Sequence, residues 1–258
     1  MKSRLAVLLL ALASASARAH DTWFEVQPGS KPGELRLALG TGSHFPQRET
    51  TIGGASLVAA QCRDGRGATQ ALQVQRDTER ALYLRASAPP GLGLSCWAQQ
   101  AQQQVTLPPD KIKLYLDEIR ATDTVRDRWA GMAARGLTWE ERYTKNARIE
   151  WGASTPQALP LALDIVPDSP APRAGDILAF TVLRQGQPLP QFAVQLVNGA
   201  SGLGLWLRTD DAGRAQVRLP LAGPWLLRGT DLRPDPQRLD AWESDFVTLA
   251  FSVATSAL

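Results

Sequence analysis

The feature that most limits what this chain can fold into is a succession of short apolar, β-prone runs, each closed by glycine, proline or aspartate. In the second half, Asp176–Leu183, Ala193–Val197, Leu205–Arg208, Ala215–Leu219, Pro224–Gly229 and Phe246–Val253 have strand length. Arg184-Gln185-Gly186-Gln187-Pro188, Asp210-Asp211-Ala212-Gly213 and Leu221-Ala222-Gly223 separate them as turns. Regularly spaced short strands of this kind imply a β-sandwich and not an α/β sheet. Thr22 to Leu107 repeats the pattern, with Leu35–Leu39 and Leu82–Ala86 set between Asp64-Gly65 and Pro89-Pro90-Gly91. The chain is expected to be mainly β, with two antiparallel β-sandwiches.

A helical insert is expected between them. Pro108-Pro109-Asp110 ends the strand pattern, and Asp110 can cap a helix carrying Ile112, Tyr115, Leu116 and Ile119 at helical spacing. Asp123 to Ala134 continues the helical pattern until Gly136. Thr138-Trp139-Glu140-Glu141 carries the acids of another first turn, leading into a strand at Glu150-Trp151. The proline-rich stretch 153–174 brackets a strand at Leu161–Val166. The expected division is 1–19 leader, 20–107 first sandwich, 108–150 insert and 151–258 second sandwich.

The leader follows from Lys2 and Arg4, the apolar run Leu5–Ala13, and Ala17-Arg18-Ala19, which satisfies the small-x-small rule of signal peptidase. Cleavage after Ala19 exposes His20, and cleavage after Ala17 leaves Arg18 first. Either way a periplasmic or secreted location is expected. The net charge of +3 has its origin here: without Lys2, Arg4 and Arg18, the 28 basic residues fall to 25, matching the 25 acids. No basic tract remains for phosphate-driven binding, so nucleic acid is excluded as a partner. In an oxidising compartment Cys62 and Cys96, the only cysteines, are expected to pair.

No Gly-rich phosphate loop, Gly-x-Ser-x-Gly elbow, His-Glu-x-x-His or Cys-x-x-Cys is present, so no catalytic residues are assigned. Histidine is the informative residue. Only His20 and His44 occur, the first directly after the cleavage site and the second in the loop Gly40-Thr41-Gly42-Ser43-His44-Phe45-Pro46. A terminal histidine offers an α-amine and an imidazole Nδ1 that can close a chelate ring. A second imidazole would complete a three-nitrogen set suited to Cu²⁺ or Ni²⁺. The alternative is a surface histidine beside a flexible terminus.

His20-Asp21-Thr22-Trp23-Phe24-Glu25 after a signal peptide, Gly42-Ser43-His44-Phe45-Pro46, Glu141-Arg142-Tyr143-Thr144-Lys145 and Trp242-Glu243-Ser244 resemble an extracytoplasmic nickel/cobalt-transport-associated domain family. Gly186-Gln187-Pro188-Leu189-Pro190 and Thr209-Asp210-Asp211-Ala212-Gly213-Arg214 resemble Ig-like or transthyretin-like sandwiches. The first resemblance implies a periplasmic protein that binds a divalent transition metal, nickel or cobalt with copper as an alternative, beside a membrane or outer-membrane metal transporter. It implies His20 and His44 as ligands. Asp231, in Arg228-Gly229-Thr230-Asp231-Leu232, stands where family members often carry another histidine, which makes it the third candidate ligand. Two other readings stay open: a copper-dependent oxidase built on an N-terminal histidine brace, and an adhesive or scaffolding pair of sandwiches in which His20 is incidental.

Overall fold

Alternation of buried and exposed side chains at period two sets the architecture. The computed structural model describes residues 20–28, 31–153 and 156–255; the expected leader lies outside them. The first half forms β1 (Asp21–Val26), β2 (Gly33–Gly42), β3 (Leu57–Asp64), β4 (Thr69–Ala71), β5 (Gln73–Asp77), β6 (Leu82–Ala88), β7 (Leu94–Gln100) and β8 (Gln103–Leu107). Two helices follow, α1 (Pro109–Glu118) and α2 (Asp123–Ala134), and then the long strand β9 (Trp139–Trp151). The second half contains β10 (Leu163–Pro167), β11 (Ile177–Arg184), β12 (Gln187–Pro188), β13 (Ala193–Asn198), β14 (Gly204–Arg208), β15 (Arg214–Arg218), β16 (Gly223–Pro234) and β17 (Trp242–Val253). The protein is mainly β, as expected. Among the described residues no helix is long and apolar enough to cross a membrane.

Three sheets result. One is antiparallel in the order β1-β2-β6-β5, and another joins β10, β12 and β15 to β11. The third has nine strands in the order β14-β13-β16-β17-β9-β7-β3-β4, with β8 also on β9. Its β9-β7-β3-β4 end covers the β1-β2-β6-β5 sheet, where Trp23, Leu35, Leu37, Leu39, Leu82 and Leu84 meet Cys62, Leu94, Cys96 and Ile149. Its β14-β13-β16-β17 end covers the β11 sheet, where Ile165, Phe180 and Val182 meet Leu196, Trp225, Leu227 and Leu249. The two sandwiches therefore share one sheet, fused by the parallel pairing of β9 with β17 from Trp242↔Glu141 to Ala250↔Ile149.

That fusion explains the main departure from the expected pattern. Residues 139–141 begin a strand and not a helical turn: Trp139 and Glu141 are buried, while Glu140 between them is partly exposed. The buried carboxylate of Glu141 accepts hydrogen bonds from Tyr115 Oη (2.8 Å), Trp139 Nε1 (2.8 Å) and Ser244 Oγ, so an acid that suggested a helix start is a satisfied core group. The helical segment consists of α1 and α2 alone. In α1 Pro108 holds the N-cap position without a side-chain bond and Asp110 lies in the first turn, so Asp110 is not the cap. Thr122 caps α2 by accepting from the Val125 amide. Ile112, Tyr115 and Leu116 pack with Met132 on the stacked pair Trp139 and Trp242, whose centroids lie 4.8 Å apart.

Two covalent or ionic ties reinforce the frame. Cys62 and Cys96, directly opposed on β3 and β7, form the expected disulfide. Fully buried Arg148 on β9 bonds Glu150 (2.6 Å) and both oxygens of Asp164 on β10 (3.0 and 2.9 Å). Burial raises the Glu150 carboxyl above its usual range even though Arg148 and Ser95 stabilise its charge.

Candidate functional site

The antiparallel pairing of β1 with β2 begins at Asp21↔Gly42, so His20 emerges beside the loop that follows β2. That loop folds back on itself. Thr41 pairs with Thr50 and His44 with Gln47, and the Glu49 amide donates to Thr41 O at 2.8 Å. The reversal returns Glu49 to its start, where the Ser43 amide donates to Glu49 Oε1 (3.1 Å) and the Ser43 hydroxyl to Oε2 (3.3 Å). Glu49 Oε2 then lies 3.3 Å from His20 Nε2. The Ser43 amide is the largest cause holding the Glu49 carboxyl below its usual value, and the fields of His20 and His44 add to it. Glu49 thus stands within electrostatic reach of both histidines.

The other side of the terminal segment is stitched to the shared sheet. Lys145 Nζ donates to His20 O at 2.7 Å, and Thr248 Oγ1 donates to Thr22 O at 2.6 Å. Arg228 on β16 pairs with Asp21 and is backed by Gln195 on β13. Burial lowers the Lys145 ammonium to about 8, and the Asp21 charge opposes that shift. Phe45 packs edge-on against Trp23 at 5.6 Å. Gly199, in the turn after β13, makes room for the same ring: a Cβ there would meet Phe45 Cε1 at 2.7 Å. The His44 loop therefore rests on both halves of the chain.

His20 and His44 are accordingly on adjoining segments, and Glu49 joins them. Asp231 is elsewhere in the bonding pattern. It sits on β16 opposite Asp245, and its carboxylate is held by Arg184 (3.2 Å) and Arg233 (3.1 Å). Arg228, Gly229 and Thr230 line the cleft beside His44, and Asp231 is not among its lining residues. Among the described residues, no group of three or more His, Cys, Asp or Glu stands close enough to hold a metal ion.

The donor chemistry separates these candidates. Ligand bonds of about 2.0–2.2 Å place neighbouring donors of one ion roughly 3 Å apart, and the His20 to Glu49 separation of 3.3 Å matches that spacing. Serine donors orient the carboxylate as outer partners of a ligand do. Asp231, bound to two guanidinium groups, would have to surrender both to take a cation. Sequence reasoning missed Glu49 and Lys145. Glu49 had one available signal, its place five residues after His44 in the same polar loop; Lys145 had none.

Two clefts flank His44. One has a volume of about 310 Å³ and reaches Asp21, Arg120, Gln195, Trp206 and Arg228. Its neighbour, of about 620 Å³, shares Ser43, His44, Gln195 and Arg228 and runs toward Gly199 and Gly204.

Comparison with known proteins adds a family and a distant structural likeness. Among curated proteins none matches the chain. Of solved structures, the D00-D0 domain of Intimin is similar at 10% identity, over 90% of this chain and 99% of that one, with a TM-score of 0.22. The family described as a domain of unknown function, DUF4198, matches residues 17–230, from just before His20 through β1–β15 and into β16. This chain belongs to the DUF4198 family.

Proposed function

We propose that this is an extracytoplasmic accessory protein that takes a divalent transition metal, nickel or cobalt with copper as the alternative, at the start of its mature chain and presents it to a membrane or outer-membrane transporter. The metal is cargo here and not a catalyst. The observation that carries the reading is the His20 and Glu49 pair at 3.3 Å, with His44 on the same loop and Glu49 in the field of both histidines. His20 and Glu49 would supply an imidazole and a carboxylate as they stand, the His44 imidazole would have to swing toward that pair to join them, and cleavage after Ala19 would add an α-amine at His20. Asp231 drops from the ligand set because its two arginines already neutralise it.

Mixed nitrogen and oxygen donors suit Ni²⁺, Co²⁺ and Cu²⁺, and in that series Cu²⁺ binds most tightly to a given site. The extracytoplasmic part is supported by the leader pattern and by the buried Cys62–Cys96 bridge, a bond that persists in oxidising compartments. Lys145 and Thr248 give the terminus a fixed backbone, which lowers the entropic cost of assembling a site on a chain end.

The test is elemental analysis of protein purified from the periplasm, followed by calorimetric titration of the stripped protein with Ni²⁺, Co²⁺ and Cu²⁺. One equivalent should bind, and His20→Ala and Glu49→Gln should each weaken binding by at least about tenfold, or 1.4 kcal/mol. Stoichiometric binding that both variants leave intact would refute the assignment.

A further inference from the structure

We infer that the cleft walled by the end of α1, by β13, β14 and β16, and by the His44 loop is a binding site for a small organic monocarboxylate, recognised by Arg120 on the face of Trp206. The inference does not depend on a metal.

Arg120 occupies an unusual position. Helix α1 ends in a Schellman motif: the Ala121 amide donates to Leu116 O (2.9 Å) and the Arg120 amide to Asp117 O (3.3 Å). Arg120 thereby takes the left-handed position after the cap, with φ 53°, where glycine is the usual residue. A side chain there strains the backbone, and strain of this kind gathers at sites of function. The motif itself would be better served by glycine, so the guanidinium needs another reason to be present.

Its surroundings supply one. The Arg120 guanidinium lies 5.2 Å from the centroid of the Trp206 ring, and among the described residues no carboxylate stands within ion-pair distance of it. A guanidinium attracted to an indole face in this way keeps N–H groups for a planar, two-oxygen partner. Opposite, Arg228 directs both Nε and an η nitrogen at Gln195 Oε1, which fixes that amide in the wall. Two acids facing the cleft are already matched: Asp21 is held by Arg228, and Asp117 by Lys113 (2.7 Å) and Arg126 (2.8 Å). The remaining lining residues are Ser43, His44, Glu118, Ile119, Gly229 and Thr230.

The ligand class follows from this balance. One cation set over the Trp206 ring, with no ion-pair partner among the described residues, suits a single carboxylate on a compact body. A doubly charged phosphate or a polycarboxylate would bring more negative charge than this one guanidinium matches. The volume of about 310 Å³ is at the small end of ligand sites, which run from about 300 to 1,000 Å³.

The test uses the metal-free mature protein, verified by elemental analysis, with glycolate, pyruvate and benzoate as probes and inorganic phosphate and citrate as comparisons. Calorimetry and tryptophan fluorescence should show saturable binding of at least one monocarboxylate with a Kd below about 1 mM, and weaker binding of phosphate and citrate. Arg120→Gly should lose at least about tenfold in affinity while its melting temperature stays level or rises, because glycine relieves the cap. His20→Ala should bind the monocarboxylate unchanged, which separates this site from the metal reading. Three observations would each overturn the inference: no saturable binding of any of the three probes, an Arg120→Gly variant that binds as tightly as the parent, or phosphate binding as tightly as the best monocarboxylate.

Discussion

Replacing Arg148 with methionine removes the one cation from a fully buried cluster that spans the two sandwiches. In the native protein its guanidinium neutralises Glu150 at 2.6 Å and Asp164 at 2.9 Å and donates to Gln157 O at 3.0 Å, with Ser95 and the Leu159 amide completing the two carboxylates. Methionine fills most of the volume, so the loss is one of charge and not of packing. Two carboxylates would remain side by side without a counter-ion, and breaking a buried pair in this way costs about 3–5 kcal/mol. At about 2–4 °C per kcal/mol for a chain of this size, the melting temperature should fall by roughly 6–20 °C. The loss should also depend on pH in a defined direction. The folded variant holds on Glu150 a proton that the unfolded chain has released, so its deficit grows as pH rises from 5 to 8. Urea unfolding followed by tryptophan fluorescence at both pH values measures this. A loss under about 1 kcal/mol, or the same loss at both pH values, would show that Arg148 does not neutralise these acids, contrary to the argument.

Three further outcomes are expected. Replacing Cys62 and Cys96 with alanine should cost about 3–4 kcal/mol from the freed loop of 34 residues, as read by urea unfolding against the oxidised parent; a difference near zero would contradict it. Gly199→Ala forces the Phe45 ring off its seat, so it should weaken metal binding at the His44 loop by about tenfold while leaving overall stability within about 2 kcal/mol, checked by titration and thermal unfolding together. Lys145, lowered to about 8 in the fold, releases its proton before the unfolded chain does, so its burial penalty fades as pH rises. The stability of the metal-free parent relative to Lys145→Met should therefore increase between pH 8 and about 9.5, by at most roughly 2 kcal/mol, and a flat or falling difference would contradict it.

The fold was legible where turns and apolar runs are local. The turn residues Gly186, Gly213 and Gly223 all take positive φ, and the helical spacing of Ile112, Tyr115 and Leu116 marks the buried face of α1. What escaped was charge inside strands. Asp231, Arg233, Glu243 and Asp245 lie within β16 and β17, which run several residues beyond the apolar segments that announce them. Arg233 draws Asp231, Glu243 and Asp245 together, and that cross-strand neutralisation exists only after pairing. Glu141 misled for the same reason, since its three donors come from α1, β9 and β17.

The site divides along a similar line. His20 and His44 stand out by rarity, and the β1–β2 pairing that sets them on adjoining segments is a local hairpin. Glu49 depends on a loop that reverses through Thr41↔Thr50, and Arg120 on a helix cap built without the glycine that usually marks one. Neither arrangement has a signature in residue type, and Glu49 offered only its place five residues after His44.

The most direct test of the metal reading is titration of Ni²⁺ and Cu²⁺ into two forms of the protein, one beginning at His20 and one carrying a single extra residue before it. An added residue turns the α-amine into an amide, which does not ligate a divalent ion near neutral pH without losing its proton. The account predicts that the extended form binds as weakly as His20→Ala, and that the form beginning at His20 loses affinity as pH falls from about 8 to 5, because protons compete with a divalent ion for nitrogen ligands. An extended protein that binds as tightly as the one beginning at His20 would contradict it.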